Sequence, residues 1–307
     1  MPRKNPIEYP GAMYHVLNCG NYRRDIFVLG RSGEAFEKCL IEVAERCGWR
    51  LFAYVLMSNH YHLALETPEA NLVAGMQWLQ STFANRFNRF RNERGHVFQG
   101  RYKAILVEEN RPLSGLIDYI HLNPVRAGLC DIKALKGYRL SSYAKYWDRR
   151  PSAGLDRETV LSLHDLPNSL RGMRGYAQLL ELQEEGNPEA RGKLERKYCR
   201  GWFLGSSQAR KALAKELAAD KEVQWEGKTF REIANLQWEQ IVQEEMARLE
   251  KNDEMTLSDR KGADWKVKIA RRLRRETTAS NPWIAQRLNM GHPSRVSNLI
   301  NGKTFKF

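Results

Sequence analysis

Two histidines separated by a single residue are the first side chains in this sequence that could carry out chemistry. His60 and His62 enclose Tyr61. Along a β-strand, successive side chains point to opposite faces, so the two imidazoles would share one face while Tyr61 packs on the other. Two such rings can converge on one divalent ion when an oxygen ligand completes the site. The same pattern is also compatible with two ordinary strand histidines.

A tyrosine and an asparagine one helical turn apart are the second candidates. The periodicity predicts a helix over residues 110–123 whose apolar stripe consists of Leu113, Leu116, Ile117 and Ile120. Tyr119 and Asn123 lie together on one flank of this stripe. Pro124 is expected to end the helix, because proline lacks an N–H group and disfavours helical geometry at the preceding residue. A boundary aromatic and a helix cap are the alternative roles for the tyrosine and the asparagine.

Together, a histidine pair, a tyrosine and an amide oxygen supply what covalent cleavage of a DNA phosphodiester requires. A divalent ion polarises a phosphoryl oxygen and orients the scissile phosphate. A tyrosine hydroxyl, with an unperturbed pKa of about 10, becomes a nucleophile when a nearby cation favours the phenolate. Attack would leave a phosphotyrosine on one DNA end and a free 3′-hydroxyl on the other. The bond energy is conserved for rejoining, so such a site needs no ATP.

Hydrophobic periodicity predicts the elements that must position these residues. Strands are predicted over residues 12–19, 49–57 and 60–66, with a fourth inside residues 95–108. Helices are predicted over residues 32–47, 70–92 and 110–123. The order β-α-β-β-α-β predicts an α+β, ferredoxin-like catalytic domain with one helix appended.

The distribution of charge indicates a polyanionic partner. The 307 residues contain 50 Lys and Arg against 36 Asp and Glu, a net charge of +14. Residues 1–150 carry +8, residues 151–259 carry −4 and residues 260–307 carry +10. These segments predict a catalytic domain, a mostly helical middle region of unknown function, and a basic DNA-binding module. Interruptions of the middle region are expected at residues 166–167, 186–188 and 201.

The last segment has the spacing of a helix-turn-helix module. A helix with six basic residues, Lys266 among them, is predicted over residues 264–276. A second helix starts at residues 280–282 and a third covers residues 294–300. The candidate contacts to duplex DNA are Arg271, Arg295 and Asn298. A three-helix cap that binds no ligand is the alternative.

Cations beside aromatic side chains in the first segment predict a track for single-stranded DNA. Arg101 and Lys103 lie close to Phe98 and Tyr102 along the chain, a pairing that binds phosphates and stacks bases. Further phosphate contacts are predicted for Arg86, Arg89 and Arg126. The alternative is a solvated strand end and ordinary surface arginines.

Composition excludes several classes of protein. Hydrophobic residues make up 42% and charged residues 28%, which is typical of globular domains and not of disordered or fibrous chains. The longest apolar run, residues 51–57, is far shorter than the roughly 18 residues of a membrane span, and no signal-peptide pattern follows the basic N-terminus. We therefore expect no membrane partner and a cytoplasmic, nucleoid-associated protein. The five cysteines lack C-x-x-C spacing and are expected to be reduced thiols.

Three motifs, taken in order, resemble a known family. They are residues 57–62 (MSNHYH), residues 95–102 (GHVFQGRY) and residues 119–129 (YIHLNPVRAGL). Over residues 8–148 the sequence resembles the single-tyrosine HUH transposases, and within them the branch associated with repetitive extragenic palindromes (REP). Ser58 stands where a proline is usual in that family.

The resemblance implies a role for each site residue. It implies that His60 and His62 bind Mg²⁺ or Mn²⁺, that Tyr119 is the nucleophile, and that Asn123, shorter than the glutamine of some branches, is a further metal ligand. The implied substrate is single-stranded DNA with palindromic hairpins, and a homodimer is one of the family's assembly states. A DNA-binding regulator that does not cut is the alternative function. The remaining histidines are expected to be structural: His15, His96, His121, His164 and His292.

Overall fold

The chain forms two compact units, Met1–Ser206 and Ser207–Phe307. The structure is a computed structural model that describes residues 6–28, 31–148, 152, 154–184, 191–220 and 230–301. The first unit extends beyond residue 150, so part of the acidic middle segment packs with the first segment. The division into three functional segments stays a prediction.

A five-stranded sheet forms the centre of the first unit. Its strands are β1 (Ala12–Cys19), β2 (Arg50–Leu56), β3 (His60–Thr67), β4 (Lys103–Val107) and β5 (Phe203–Leu204). They lie in the order β2-β3-β1-β4-β5, and the pairs β2–β3, β3–β1 and β1–β4 are antiparallel. The tight connection between β2 and β3 at residues 58–59 agrees with the predicted hairpin.

Two helices cover one face of this sheet. They are α1 (Ser32–Cys47) and α2 (Leu72–Arg91), and both agree closely with the periodicity of the sequence. An aromatic cluster holds them to the strands, because Tyr61 of β3 lies 4.9 Å from Phe36 of α1, measured between ring centroids. Phe83 of α2 lies 5.1 Å from the same Phe36 ring. Burial of such large rings is a major source of stability.

Helix α3 (Arg111–Arg126) packs on the opposite face of the sheet. Its predicted apolar stripe is fully buried, as expected. The prediction that Pro124 ends this helix is wrong, because the helix continues to Arg126. Pro124 lies in the last turn and is itself buried, so the helix loses a single hydrogen bond there while its apolar ring remains in the core.

The rest of the first unit completes the core on the α3 side. A short 3₁₀ helix (Ile132–Gly137) is followed by α4 (Ser142–Lys145), α5 (Arg157–Ser162), α6 (Leu170–Glu184) and α7 (Arg191–Cys199). Gly201, at a φ of 85°, separates α7 from β5 as the sequence predicts. The predicted interruption at residues 186–188 lies outside the described residues.

The sheet gains pairing partners from this later part of the chain. Strand β5, which the sequence does not predict, pairs in parallel with β4. On the other side of the sheet, Leu51 and Val55 of β2 form isolated bridges with Leu155 and Ser141. The later segments therefore belong to the same folded unit as the motifs at residues 57–129.

The second unit is helical throughout its described residues. Its helices are α8 (Ser207–Ala219), α9 (Arg231–Arg248), α10 (Asp253–Ser258), α11 (Asp264–Glu276), α12 (Asn281–Arg287) and α13 (Pro293–Ile300). The last three agree with the predicted positions, and Ser280 caps α12 by accepting a hydrogen bond from the Trp283 backbone N–H. Lys266 departs from the expected basic surface, because it is fully buried and donates to the carbonyls of Thr256 and Asp259.

Two simpler expectations can also be compared with the structure. Among the described residues, no helix is long and apolar enough to cross a membrane. All five cysteines are free thiols, as the sequence predicts.

Candidate active site

The histidine pair lies near the start of β3, on the face of the sheet that α3 covers. His60 and His62 point to the same face, with ring centroids 5.2 Å apart and ring planes nearly perpendicular. Tyr61 points to the other face and packs in the aromatic cluster. The alternation of a strand therefore brings the two imidazoles together as the sequence predicts.

Tyr119 reaches the same place from α3. Its ring centroid lies 5.8 Å from that of His62, with the two ring planes at 90°. Tyr119 is held there because Leu116, one turn before it, and Ile120, the next residue along the helix, are buried against the sheet. Three side chains from two separate stretches of sequence thus meet at one site.

Asn123 lies one turn beyond Tyr119, as the helical spacing predicts. Its side-chain N–H donates to the Tyr119 backbone carbonyl over 3.2 Å. This hydrogen bond uses a donor of the amide, so the acceptor Oδ1 is not consumed by it. Its role as a metal ligand stays a prediction.

The ring of His60 is oriented by the residue before it. The Asn59 amide donates through Nδ2 to the Arg23 carbonyl over 2.9 Å, which directs its Oδ1 towards His60. His60 Nδ1 lies 2.7 Å from this Oδ1 and must donate to it. In a neutral ring the lone pair then lies on Nε2, the form in which histidine binds metals.

Burial keeps His62 in the form that a metal requires. Removal from water, followed by the neighbouring rings of His15 and His60, lowers the pKa of His62 well below its ordinary value. Within the described residues no group of three His, Cys, Asp or Glu side chains could hold a metal. Two imidazoles can still fit a divalent ion if the remaining ligands are the Asn123 amide oxygen, water or a DNA phosphate.

Helix α7 covers the hydroxyl end of Tyr119. The Tyr198 ring stacks on the Tyr119 ring with centroids 4.7 Å apart, and Cys199 Sγ lies 3.4 Å from the Tyr119 hydroxyl. Gly115 permits this approach, because a Cβ there would lie 2.7 Å from the Tyr198 hydroxyl. Tyr119 is consequently only 6% exposed, and a DNA phosphate must displace part of this cover to reach it.

Sequence reasoning assigned His15 a structural role by default, but the structure places it in the site. Its Nε2 lies 2.9 Å from His62 Nδ1, and its Nδ1 lies 2.9 Å from the Tyr198 backbone oxygen. The available signal was a polar residue inside the apolar strand β1, between Tyr14 and Val16. The contact itself depends on the pairing of β1 with β3, which local sequence does not define.

The candidate DNA contacts of the first unit differ in their surroundings. Arg86 bonds to Cys39 and Glu42 of α1, and Arg126 bonds to Glu184 of α6. The Lys103 ammonium donates to the Cys199 carbonyl, and burial lowers its pKa. Arg86, Arg89 and Arg101 are exposed, whereas Lys103 and Arg126 are partly buried.

In the second unit, the three candidate DNA contacts also differ. Arg271 donates to the carbonyls of Leu299 and Ile300 at the end of α13, which gives it a structural contact. Arg295 is exposed and Asn298 is half-buried on α13. Contact with DNA stays a prediction for all eight residues of the two units.

The N-terminal segment can now be assigned to a class of protein. Residues 8–123 match the family model described as "Transposase IS200 like". This segment, which contains the histidine pair and Tyr119, is similar to the IS200-like transposases, a family of DNA-cleaving enzymes. The resemblance predicted from the three motifs is therefore confirmed.

More particular relatives carry REP-associated names. A Haemophilus influenzae protein named as a candidate REP-associated tyrosine transposase is 23% identical over 119 residues, which cover 35% of this chain and 66% of the relative. A solved REP-associated tyrosine transposase bound to a REP hairpin is 18% identical with a TM-score of 0.39, over 48% of this chain and 86% of that one. A candidate transposase from Deinococcus radiodurans is 21% identical with a TM-score of 0.29, over 39% and 95% of the two chains.

Proposed function

We propose that this protein is a metal-dependent DNA strand transferase that nicks and rejoins single-stranded DNA through a phosphotyrosine. The observation that carries the proposal is the perpendicular approach of the Tyr119 and His62 rings, 5.8 Å apart, inside the segment that matches the transposase family. The antiparallel order β4-β1-β3-β2 and the succession β-α-β-β-α-β support a ferredoxin-like catalytic domain.

The proposed reaction assigns a role to each side chain. The Tyr119 oxygen attacks the scissile phosphorus and forms an O–P bond, while the bond from phosphorus to the 3′ oxygen breaks. The phenol gives up its proton, and the leaving 3′ oxygen takes one up as a hydroxyl. His60 and His62, with Asn123 as the candidate third ligand, would hold an ion that polarises the phosphoryl oxygen. Of the two predicted ions Mn²⁺ fits better, since Mg²⁺ prefers oxygen ligands.

The proposed substrate is single-stranded DNA with palindromic hairpins, as the family resemblance implies. The excess of 14 positive charges favours a polyanion, with Arg89 and Arg101 as exposed phosphate contacts of the first unit. For the second unit we propose a helix-turn-helix module in which α13 contacts duplex DNA through Arg295 and Asn298. The arrangement of a capped α12 followed by α13 supports this assignment.

A regulator that binds DNA without cutting it is the second candidate function. The cover of Tyr198 and Cys199 over the Tyr119 hydroxyl favours it, because a buried phenol does not react with DNA. The two functions differ in one product, the covalent protein–DNA adduct.

Covalent trapping tests the proposal. The full-length protein is incubated with Mn²⁺ and 3′-labelled single strands of the DNA that flanks its gene, and the products are separated in SDS. We expect a labelled adduct that Tyr119→Phe abolishes while DNA binding is retained. Tyr143→Phe, which alters another buried tyrosine of the first unit, is the control and should keep the adduct. An adduct that survives Tyr119→Phe rejects the nucleophile, and its absence from the wild-type protein supports the regulator.

A further inference from the structure

A third histidine lies beneath the metal-ligand pair, outside every motif of the sequence. His15 is fully buried on β1, where it pairs with Ala64 of β3 and stacks on His62 with ring centroids 5.1 Å apart. Its two nitrogens make different contacts. Nδ1 lies 2.9 Å from the Tyr198 carbonyl oxygen of α7, and Nε2 lies 2.9 Å from His62 Nδ1.

These contacts define where the protons lie. A carbonyl oxygen only accepts hydrogen bonds, so His15 Nδ1 must carry a hydrogen and donate it to Tyr198. His15 is fully buried, and the partners of its two nitrogens are a carbonyl and an imidazole, neither of which balances a positive charge, so the ring is neutral and carries a single proton. His15 Nε2 is therefore an acceptor, and His62 Nδ1 must donate to it. The neutral His62 ring then carries its lone pair on Nε2.

We propose that His15 is a positioning residue that holds His62 in the tautomer with a lone pair on Nε2, ready to bind a divalent ion. The identity of His62 as a metal ligand rests on the proposed function. The hydrogen bond between the two rings also fixes the plane of the His62 imidazole, as a partner on the second nitrogen generally does for metal-binding histidines.

The two ligand histidines are thus supported in parallel ways. Asn59 accepts from His60 Nδ1 and His15 accepts from His62 Nδ1, so both rings direct Nε2 as the basic nitrogen. The supports differ in origin. Asn59 is the sequence neighbour of its ligand, whereas His15 comes from another strand and is itself held by the backbone of α7. Because α7 also covers Tyr119, one helix contacts both the nucleophile and the support of a metal ligand.

Nuclear magnetic resonance of the metal-free, full-length protein tests the tautomer directly. Two-bond correlations between ring protons and ¹⁵N in labelled histidine distinguish protonated from unprotonated ring nitrogens. We expect His62 of the wild-type protein to be protonated at Nδ1 alone. In His15→Ala we expect a mixture of tautomers. Protonation of His62 at Nε2 in the wild-type protein would overturn the proposal without any measurement of activity.

Binding of Mn²⁺ alone, followed by electron paramagnetic resonance of the free ion, tests the consequence. We expect His15→Ala to raise the Kd by about 10- to 100-fold, the range typical of lost outer-shell partners. His15→Gln should recover part of the affinity, since its amide oxygen can accept from His62 Nδ1, and it keeps the test valid if the alanine variant does not fold. His121→Gln, at another fully buried histidine of the same unit, is the matched control and should bind as the wild type does.

The outcomes separate the two claims. If His62→Ala loses Mn²⁺ while His15→Ala binds it with unchanged Kd, the role of His15 is wrong and the proposed metal site stands. If His62→Ala binds Mn²⁺ as the wild type does, the metal assignment is wrong, and the role of His15 towards a metal falls with it.

Discussion

The first unit contains two buried histidine clusters, and both involve α3. The first, here the sheet-face site, comprises His15, His60, His62 and Tyr119. The second, here the α3–α6 network, comprises Asp118, His121, His164 and Tyr176, with Ser142 and Gln183 at its ends. Tyr119 lies between Asp118 and His121 in the sequence, so neighbouring residues of one helix serve both clusters.

In the α3–α6 network, the protein saturates its own polar groups. Tyr176 donates to Asp118 and accepts from His121 Nδ1, and His121 Nε2 contacts Ser142. His164 uses both ring nitrogens as well, one towards Asp118 and one towards the Val160 carbonyl. A buried network whose hydrogen bonds are all made rigidifies a core and offers little to a ligand.

In the sheet-face site, the described contacts of His62 use Nδ1 alone. Its Nε2 is kept basic by the protein without being consumed by it. Two buried histidine clusters of similar composition are therefore distinguished by where their hydrogen bonds end. A closed network indicates a structural role, and an oriented lone pair indicates a ligand.

Loss of a metal ligand should have the largest effect, and only on chemistry. If His62 holds the proposed ion, which would supply several kcal/mol of transition-state stabilisation, we expect His62→Ala to lower Mn²⁺-dependent nicking by about 1,000-fold or more. His164→Gln, in the α3–α6 network, should nick within about threefold of the wild type. Rates come from single-turnover assays on labelled single strands. Equal losses of nicking rate in His62→Ala and His164→Gln would show that the two clusters do not differ in function.

Loss of the central acceptor of the other cluster should affect stability. Asp118 accepts from His164, Tyr176 and Gln183, so Asp118→Ala leaves buried donors without a partner. We expect the free energy of unfolding to fall by about 4 kcal/mol, the scale of a broken buried charged network. Urea titration of the full chain measures it. Tyr119→Phe serves as the contrast, and a comparable loss there would contradict the division of roles.

Acidification should destabilise the protein through His121, which lies in the α3–α6 network. Burial lowers the pKa of His121 to about 3, below the unfolded value of 6.5. The native state therefore binds fewer protons, so this contribution to stability is complete above pH 6.5 and is lost as the pH falls towards 3. At pH 4.5 we expect a loss of about 2 kcal/mol from this ring.

Urea titrations at pH 7 and pH 4.5 measure the free energy of unfolding of the wild type and of His121→Gln. We expect the loss of stability at pH 4.5 to be smaller in His121→Gln. The variant is needed as a reference because protonation of His164 changes stability in the direction opposite to protonation of His121. Burial, the largest single effect, would lower the pKa of His164, but the hydrogen bond and the charge of Asp118, with the hydrogen bond to the Val160 carbonyl and the charge of Asp165, together outweigh it and raise the pKa. Stability from His164 is present at low pH and is lost as the pH rises. An acid effect of the same size in both proteins would show that His121 is not the source.

Removal of the Tyr198 ring that covers Tyr119 should have the smallest effect, a modest increase in the rate of adduct formation. Tyr198→Ala removes a stacked ring while the backbone carbonyl that accepts from His15 remains. Because a stacked aromatic pair is worth about 1 kcal/mol, we expect the adduct to form about fivefold faster. Gly115→Ala should act in the same direction, since its Cβ would displace the Tyr198 hydroxyl. Slower adduct formation in both variants would mean that α7 assists the reaction.

Sequence reasoning predicted the parts of the site that depend on local geometry. His60 and His62 share a face because strands alternate, and Tyr119 lies on the flank of a helix because its apolar neighbours recur every three or four residues. His15 could not be placed in the same way, because its contact requires the register between strands far apart in the chain. Tyr198 and Cys199 approach through tertiary packing of α7, and the two-residue strand β5 is too short for any periodic signal. The expectation that proline ends a helix failed at Pro124, because this residue lies in the last turn and is buried.

The pairing of β5 with β4 matters for how this domain avoids sticking to its own copies. Without it, the amides and carbonyls along Lys103–Val107 would form an open border that could recruit a strand from another molecule. The two residues of β5 cover this edge of the sheet, and the bridges of Leu155 and Ser141 to β2 cover part of the opposite edge. All of these edge-pairing residues lie after residue 123, beyond the segment that matches the transposase family. A version cut back to the matched segment would retain the reactive groups and expose two aggregation-prone borders.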